Sequence, residues 1–195
     1  MNKLTKILAA SALSGIWAIP AQAQELGIKT NLLYDATASP SLGFEVGVSP
    51  KWTIDVSGSL NGWDVGGHKW KHWEVQPEAR YWFCERFQGN FLAVHAIGGQ
   101  FNIGNIGGLK DFLGTEFSRL KDHRVQGWGV GAGIAYGHTW ALAKHWNIEA
   151  EIGFGWIYTR FDEYPCSVCG NKEKENAVHN YVGPTKAALN LVYIF

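Results

Sequence analysis

Apolar and polar residues alternate along most of this chain with a period of two, the spacing of strands that turn one face to an apolar surrounding and the other to a polar one. Residues 126–140 show it most clearly: Trp128, Val130, Ala132, Ile134, Tyr136 and Trp140 share one face, and Gly127, Gly129, Gly131, Gly133 and Gly137 share the other. Residues 146–160 repeat the pattern, with Trp146, Ile148, Ala150, Ile152, Phe154, Trp156 and Tyr158 set against Asn147, Glu149, Glu151, Gly153 and Gly155. Further segments at 27–35, 41–49, 51–60, 71–83, 91–102 and 182–195 bring the count of predicted strands to eight. Pro77 interrupts the fourth and implies a bulge, because proline donates nothing to a ladder. The fifth is ambiguous in phase around Gly98-Gly99.

The connections alternate too. Ser49-Pro50, 84–90 and 141–145 are short, whereas 61–70, 103–125 and 162–181 are long, polar or glycine-rich. The first outer connection, 36–40, is the brief exception. Short turns at one end and long loops at the other, with aromatic rings at the ends of the apolar faces (Trp73 and Tyr81, Trp128 and Trp140, Trp146 and Tyr158), is the arrangement of an outer-membrane barrel. The expectation is an all-β, up-and-down, eight-stranded antiparallel transmembrane barrel with both termini periplasmic. A lipocalin-like soluble barrel would bury the same apolar face around a ligand, but it leaves the aromatic ends and the glycine-lined face unexplained.

Composition supports the membrane reading. Aromatics make up 14 % of residues and tryptophans number 10, yet mean hydropathy is −0.12. A barrel that is apolar outside and polar inside gives both results. Residues 1–23 read as a cleaved secretory signal peptide, with Lys3 and Lys6, an apolar stretch 7–19, and Ala21-Gln22-Ala23 as the cleavage site. Residues 24–195 then form one barrel domain, and without the two leader lysines it carries 15 basic and 17 acidic residues. No basic patch points to nucleic acid. At the other end Ala187, Leu189, Leu191, Tyr193 and Phe195 share one strand face, and this pattern resembles the assembly signal read by the outer-membrane barrel assembly machinery. Leu191, Tyr193 and Phe195 are its core.

Lys29, Glu45, Asp55, Glu78, Arg80, Glu149 and Glu151 fall on the lumen face toward the periplasmic half. A barrel this narrow is filled by side chains. The cluster therefore reads first as a salt-bridge plug around Arg80, and alternatively as a gated path for cations or protons. Cys166 and Cys169 fit a short-loop disulfide. With His179 they form a weak half-site for a metal, and Asp162 or Glu163 would have to complete it. Cys84, in a periplasmic turn, lies too far away to pair. Histidines 68, 123 and 179 read as loop residues, 138 and 145 as flanking a turn, and only His72 and His95 as strand residues. No nucleophile elbow, HExxH helix or cofactor motif occurs, so no catalysis and no cofactor are expected.

The stretches Lys29-Thr30-Asn31-Leu32-Leu33-Tyr34-Asp35-Ala36-Thr37, Gly43-Phe44-Glu45-Val46-Gly47, Trp70-Lys71-His72-Trp73, Gln76-Pro77-Glu78-Ala79-Arg80-Tyr81-Trp82 and His95-Ala96-Ile97-Gly98-Gly99-Gln100 resemble a bacterial family, domain of unknown function 3575. The resemblance covers essentially the whole mature chain. It implies a small outer-membrane barrel, in some members encoded beside genes for surface fimbriae, and it supplies no catalytic residue. The expected function is a non-enzymatic surface or envelope scaffold embedded in outer-membrane lipid and acting through its outer loops, with an envelope or fimbrial protein as the partner the resemblance suggests. A narrow gated channel for ions or small solutes is the alternative, and an outer-membrane enzyme a distant third. The apolar stripe Leu109, Phe112, Leu113, Phe117 and Leu120 would cap the barrel or dock a partner.

Overall fold

The computed structural model describes residues 26–65, 68–106, 120–166 and 168–195. The leader, and the loop stripe except Leu120, lie outside them. Eight antiparallel strands follow one another around a closed ring: β1 (Leu26–Asn31), β2 (Ser41–Ser49), β3 (Trp52–Val65), β4 (His68–Trp82), β5 (Gly89–Gly104), β6 (Arg124–Ala141), β7 (Trp146–Tyr164) and β8 (Lys174–Ile194). β1 closes the ring on β8, with Gly27 opposite Ile194 and Asn31 opposite Asn190.

The period-two pattern sorts residues as expected. Val94, Val130, Ile134, Ile152, Phe154 and Val182 are exposed on the outside, while Lys29, Glu45, Asp55, Glu78, Arg80, His95, Glu149 and Glu151 are buried in the lumen. Rings gather at both ends of the outer face. Trp52 packs tilted against Tyr81 at 5.2 Å and Trp146 edge-on against Tyr193 at 5.0 Å near the short turns, and Trp128 lies 5.9 Å from Tyr158 at the other end. Leu191 and Tyr193 lie on the strand that closes the ring and Phe195 directly follows it, its ring 5.0 Å from that of Tyr193 and its amide donating to the Leu26 carbonyl.

Four boundaries differ from the sequence reading. The first strand stops at Asn31 rather than 35, and a helix α1 (Leu32–Ala36) follows. The adjacent leucines break the alternation, and the Asn31 side chain caps the helix by accepting from the Leu33 amide at 3.1 Å. The long connection 61–70 is largely strand. β3 and β4 run on to residues 65 and 68 through the facing pairs Trp63–Trp70 and Asp64–Lys69. The connection 162–181 shrinks likewise, because β7 continues to Tyr164 and β8 begins at Lys174. These extensions place His68 and His179 within strands, and His138, read as flanking a turn, lies on β6. Finally, the register runs unbroken past Pro77. The bulge falls at another proline: Gly153 faces Lys186 but Phe154 faces Pro184, so Thr185 is the extra residue.

One consequence of the early stop at β1 shapes everything above it. β1 accompanies β8 only over residues 190–194, and β2 accompanies β3 only as far as Ser59, while β3 and β8 continue well beyond. In that sector of the wall, among the described residues, α1 and the turn 37–40 stand where the two strands would. Side chains hold them there. Asn31 donates to the Ala187 carbonyl at 3.2 Å and accepts from the Leu189 amide at 3.2 Å; Asn61 donates to Ser39 Oγ at 2.9 Å, and Trp63 Nε1 donates to the Ala38 carbonyl at 2.5 Å.

Candidate functional site

The lumen has three storeys. Nearest the short turns is an aromatic floor, with Trp82 packed on Phe91 at 4.7 Å and on Phe87 at 6.0 Å. Phe91 is accommodated because Gly137 faces it; a methyl group there would overlap the ring. Strand parity puts Trp82 inside, but alternation alone does not show that a lumen-facing ring caps one end.

Above the floor sits the charge cluster. Arg80 is wholly buried and its guanidinium lies 4.5 Å from the centroid of the Phe91 ring. Nε donates to Glu78 at 2.5 Å, one terminal nitrogen reaches Glu45 at 2.8 Å and Glu149 at 2.9 Å, and the other reaches Glu151 at 2.8 Å. Only arginine offers a planar fork of donors able to serve four carboxylates at once. Lys29 lies 2.6 Å from Glu45, 3.1 Å from Asp55 and 3.8 Å from Glu149. All seven residues expected in the cluster are brought together.

The sequence reading missed Lys186. Its Nζ lies 2.6 Å from Glu78 and 3.1 Å from Glu151. With it the cluster holds three cations against five carboxylates. The bulge at Thr185 sends both Thr185 and Lys186 inward, where Thr185 Oγ1 meets His95 Nε2 at 2.9 Å. The signal available was the parity of β8, which sets Lys186, Ala188 and Asn190 opposite Ala187 and Leu189. Neutral partners complete the network: Thr53 and Thr139 donate to Glu45 and Glu149, and Asn190 donates to Glu149 at 2.7 Å. Between this plug and the third storey, a gap of about 30 Å³ beside Lys29, Gln76 and Lys186 has room for roughly one water.

The third storey is an apolar cup of about 380 Å³. Ile97, Phe101, Ile103 and Ile157 line it on β5 and β7, His72 and Glu74 on β4, and Tyr34, Thr37 and Ser39 at α1. Tyr34 hydrogen-bonds Glu74.

Beyond the cup, the ends of β6, β7 and β8 form a braced ridge. Cys166 and Cys169 are joined in a disulfide, so neither sulfur is a thiolate for a metal, and His179 stands on β8 away from them. The proposed Cys-Cys-His half-site is therefore not formed. A different trio, His123, Glu163 and Glu173, brings ligand atoms within 4.8 Å of one another. Lys174 Nζ already lies 2.7 Å from Glu163 there. Arg124 stacks on the Tyr164 ring at 3.7 Å and donates to the Cys169 carbonyl at 3.0 Å. Asp162 accepts from the Asn176 amide at 2.8 Å and faces Lys172 at 3.0 Å, and these bonds hold its carboxyl below the usual range; Glu175, 2.8 Å from Lys172, and then Asp162 push the lysine above its own. Cys84 is free and exposed at the opposite end of the barrel.

Ring and plug together define a small closed β-barrel whose lumen is occupied by its own ion pairs. The chain belongs to the family described as proteins of unknown function, DUF3575, whose model matches residues 8–195. No curated protein and no solved structure matches it.

Proposed function

We propose that this chain spans the bacterial outer membrane as a plugged barrel, short turns and both termini on the periplasmic side, and that it works without catalysis as a surface scaffold. An outward apolar face bounded by two groups of rings suits a bilayer. β7 and β8 span Trp146–Tyr164 and Lys174–Ile194, far longer than the roughly 9–11 residues a crossing needs. Their excess length forms the braced ridge, a rigid platform for an envelope or fimbrial protein. The barrel assembly machinery would be its other partner, met during insertion.

The observation that favours scaffold over channel is the Arg80 network lying directly on the Trp82–Phe87–Phe91 floor. An ion would have to displace a guanidinium held by four carboxylates. Purified barrel in a planar bilayer should be electrically silent. Steady unitary openings that change with Arg80→Gln would instead establish the channel.

A further inference from the structure

We propose that the cup in the outer half of the lumen is a binding site for a single acyl chain, taken sideways from the bilayer past α1. This rests on the outer-membrane reading. At bilayer depth, backbone that is not in a ladder persists only where protein buries it or where it lines a cavity. The wall between β3 and β8 is such a place. There α1 turns Leu32 and Leu33 outward and exposed, while Tyr34 points in to Glu74 and forms part of the cup. One five-residue helix thus faces lipid on one side and the cavity on the other. The segment is tied mainly by side chains: Asn31, just before the helix, bonds β8, Asp35 of the helix accepts from Thr30 and Ser41, and Asn61 and Trp63 bond the turn that follows, where the Leu60 amide also donates to the Pro40 carbonyl at 3.2 Å. Leu60 and Trp63, exposed apolar residues of β3, lie beside the turn that follows it. The cup therefore has a door onto the hydrocarbon.

Its lining states what it holds. At about 380 Å³ it falls in the size range of small-molecule pockets, roughly 300–1,000 Å³. Its β5 and β7 walls are mainly isoleucine and phenylalanine, with Gln100 and Thr159 already bonded to Trp73 and the His179 carbonyl, and Gly99 and Gly129 leave the facing backbone bare. Water gains few partners on such a wall, whereas a methylene chain gains contact along all of it. No lysine or arginine lines the cup among the described residues, so a phosphate or carboxylate head is not what is recognised. The bound part is the chain, and its head stays outside.

The test uses the full barrel in lipid nanodiscs, free of detergent whose own alkyl tails would compete. Two photoreactive probes each carry a diazirine at the chain end: a phosphatidylcholine, which stays in the bilayer, and a free palmitic acid. After irradiation the labelled residues are mapped by peptide mass spectrometry. The proposal expects saturable labelling of the inward residues Ile97, Phe101 and Ile157 by the phospholipid probe. That labelling should be lost in Ile157→Trp and in Ile97→Trp, each of which fills the cup from a different strand. Labelling of the cup by the free acid alone would overturn sideways entry and leave a soluble fatty acid as ligand. Labelling confined to outward residues such as Val94, Ile134 and Phe154 would overturn the site while leaving the membrane reading intact. No labelling of either face, with the barrel separating from the nanodiscs, would overturn the membrane reading itself. Each variant is first checked for the heat-dependent gel mobility of a folded barrel, and two substitutions guard against one that fails to fold.

Discussion

Arg80→Met will fail to give a heat-resistant barrel, or will give one unfolding at much lower urea than the parent. The guanidinium is wholly buried and touches Glu45, Glu78, Glu149 and Glu151 within 2.9 Å. Methionine fills much of the space, so the effect reports charge rather than a void. Removing one partner of a buried ion pair costs about 3–5 kcal/mol because the other charge stays desolvated. Here four carboxylates lose a shared partner, although Lys29 and Lys186 stay in contact with them. Arg80→Lys keeps a charge but not the fork, and should be intermediate. Adding Glu149→Gln and Glu45→Gln to Arg80→Met removes two of the stranded charges and should recover part of the loss. Equal stability of Arg80→Met and the parent would mean that the network does not hold the lumen together.

The second large effect lies on the other face. Ile152→Arg should hinder insertion far more than Glu151→Gln, although the two positions are adjacent. Ile152 is an exposed apolar side chain between the two groups of rings, and a charge there near mid-bilayer costs about 2–4 kcal/mol. Glu151→Gln alters one carboxylate that Arg80 and Lys186 share with others. Folding yield into vesicles as a function of urea reads both. Failure of Glu151→Gln beside a silent Ile152→Arg would invert the assignment of inside and outside.

Much of this was legible because one physical rule, alternation, survives wherever a strand separates an apolar outer face from a polar lumen. It placed Glu45, Asp55, Glu78, Arg80, Glu149 and Glu151 together from sequence alone. It failed where the strand leaves that setting. Residues 61–65, 68–70 and 174–181 mix asparagine, glycine and charged side chains with scattered apolar ones such as Trp63 and Val178, so their strands look like loops. It failed at Asn31, where a capping side chain stops a strand whose apolar residues continue. It failed again at Thr185, where a single inserted residue changes the phase of β8. The cup was invisible for a different reason: Ile97 and Ile157 sit far apart in sequence, and only the stagger of the ring brings them to one height above the plug.

The membrane-spanning barrel is tested most directly by a nitroxide scan of β7 in lipid vesicles, with a single cysteine moved along residues 151–156 in a Cys84→Ser background. Accessibility to oxygen, which concentrates in hydrocarbon, is compared with accessibility to a water-soluble nickel chelate. Labels at 152, 154 and 156 should be oxygen-accessible and shielded from nickel, with oxygen access highest near 152 and falling toward the rings, while labels at 151, 153 and 155 should be reached poorly by both. Outward positions freely accessible to nickel, with no depth gradient in oxygen, would show a barrel standing in water and contradict the account.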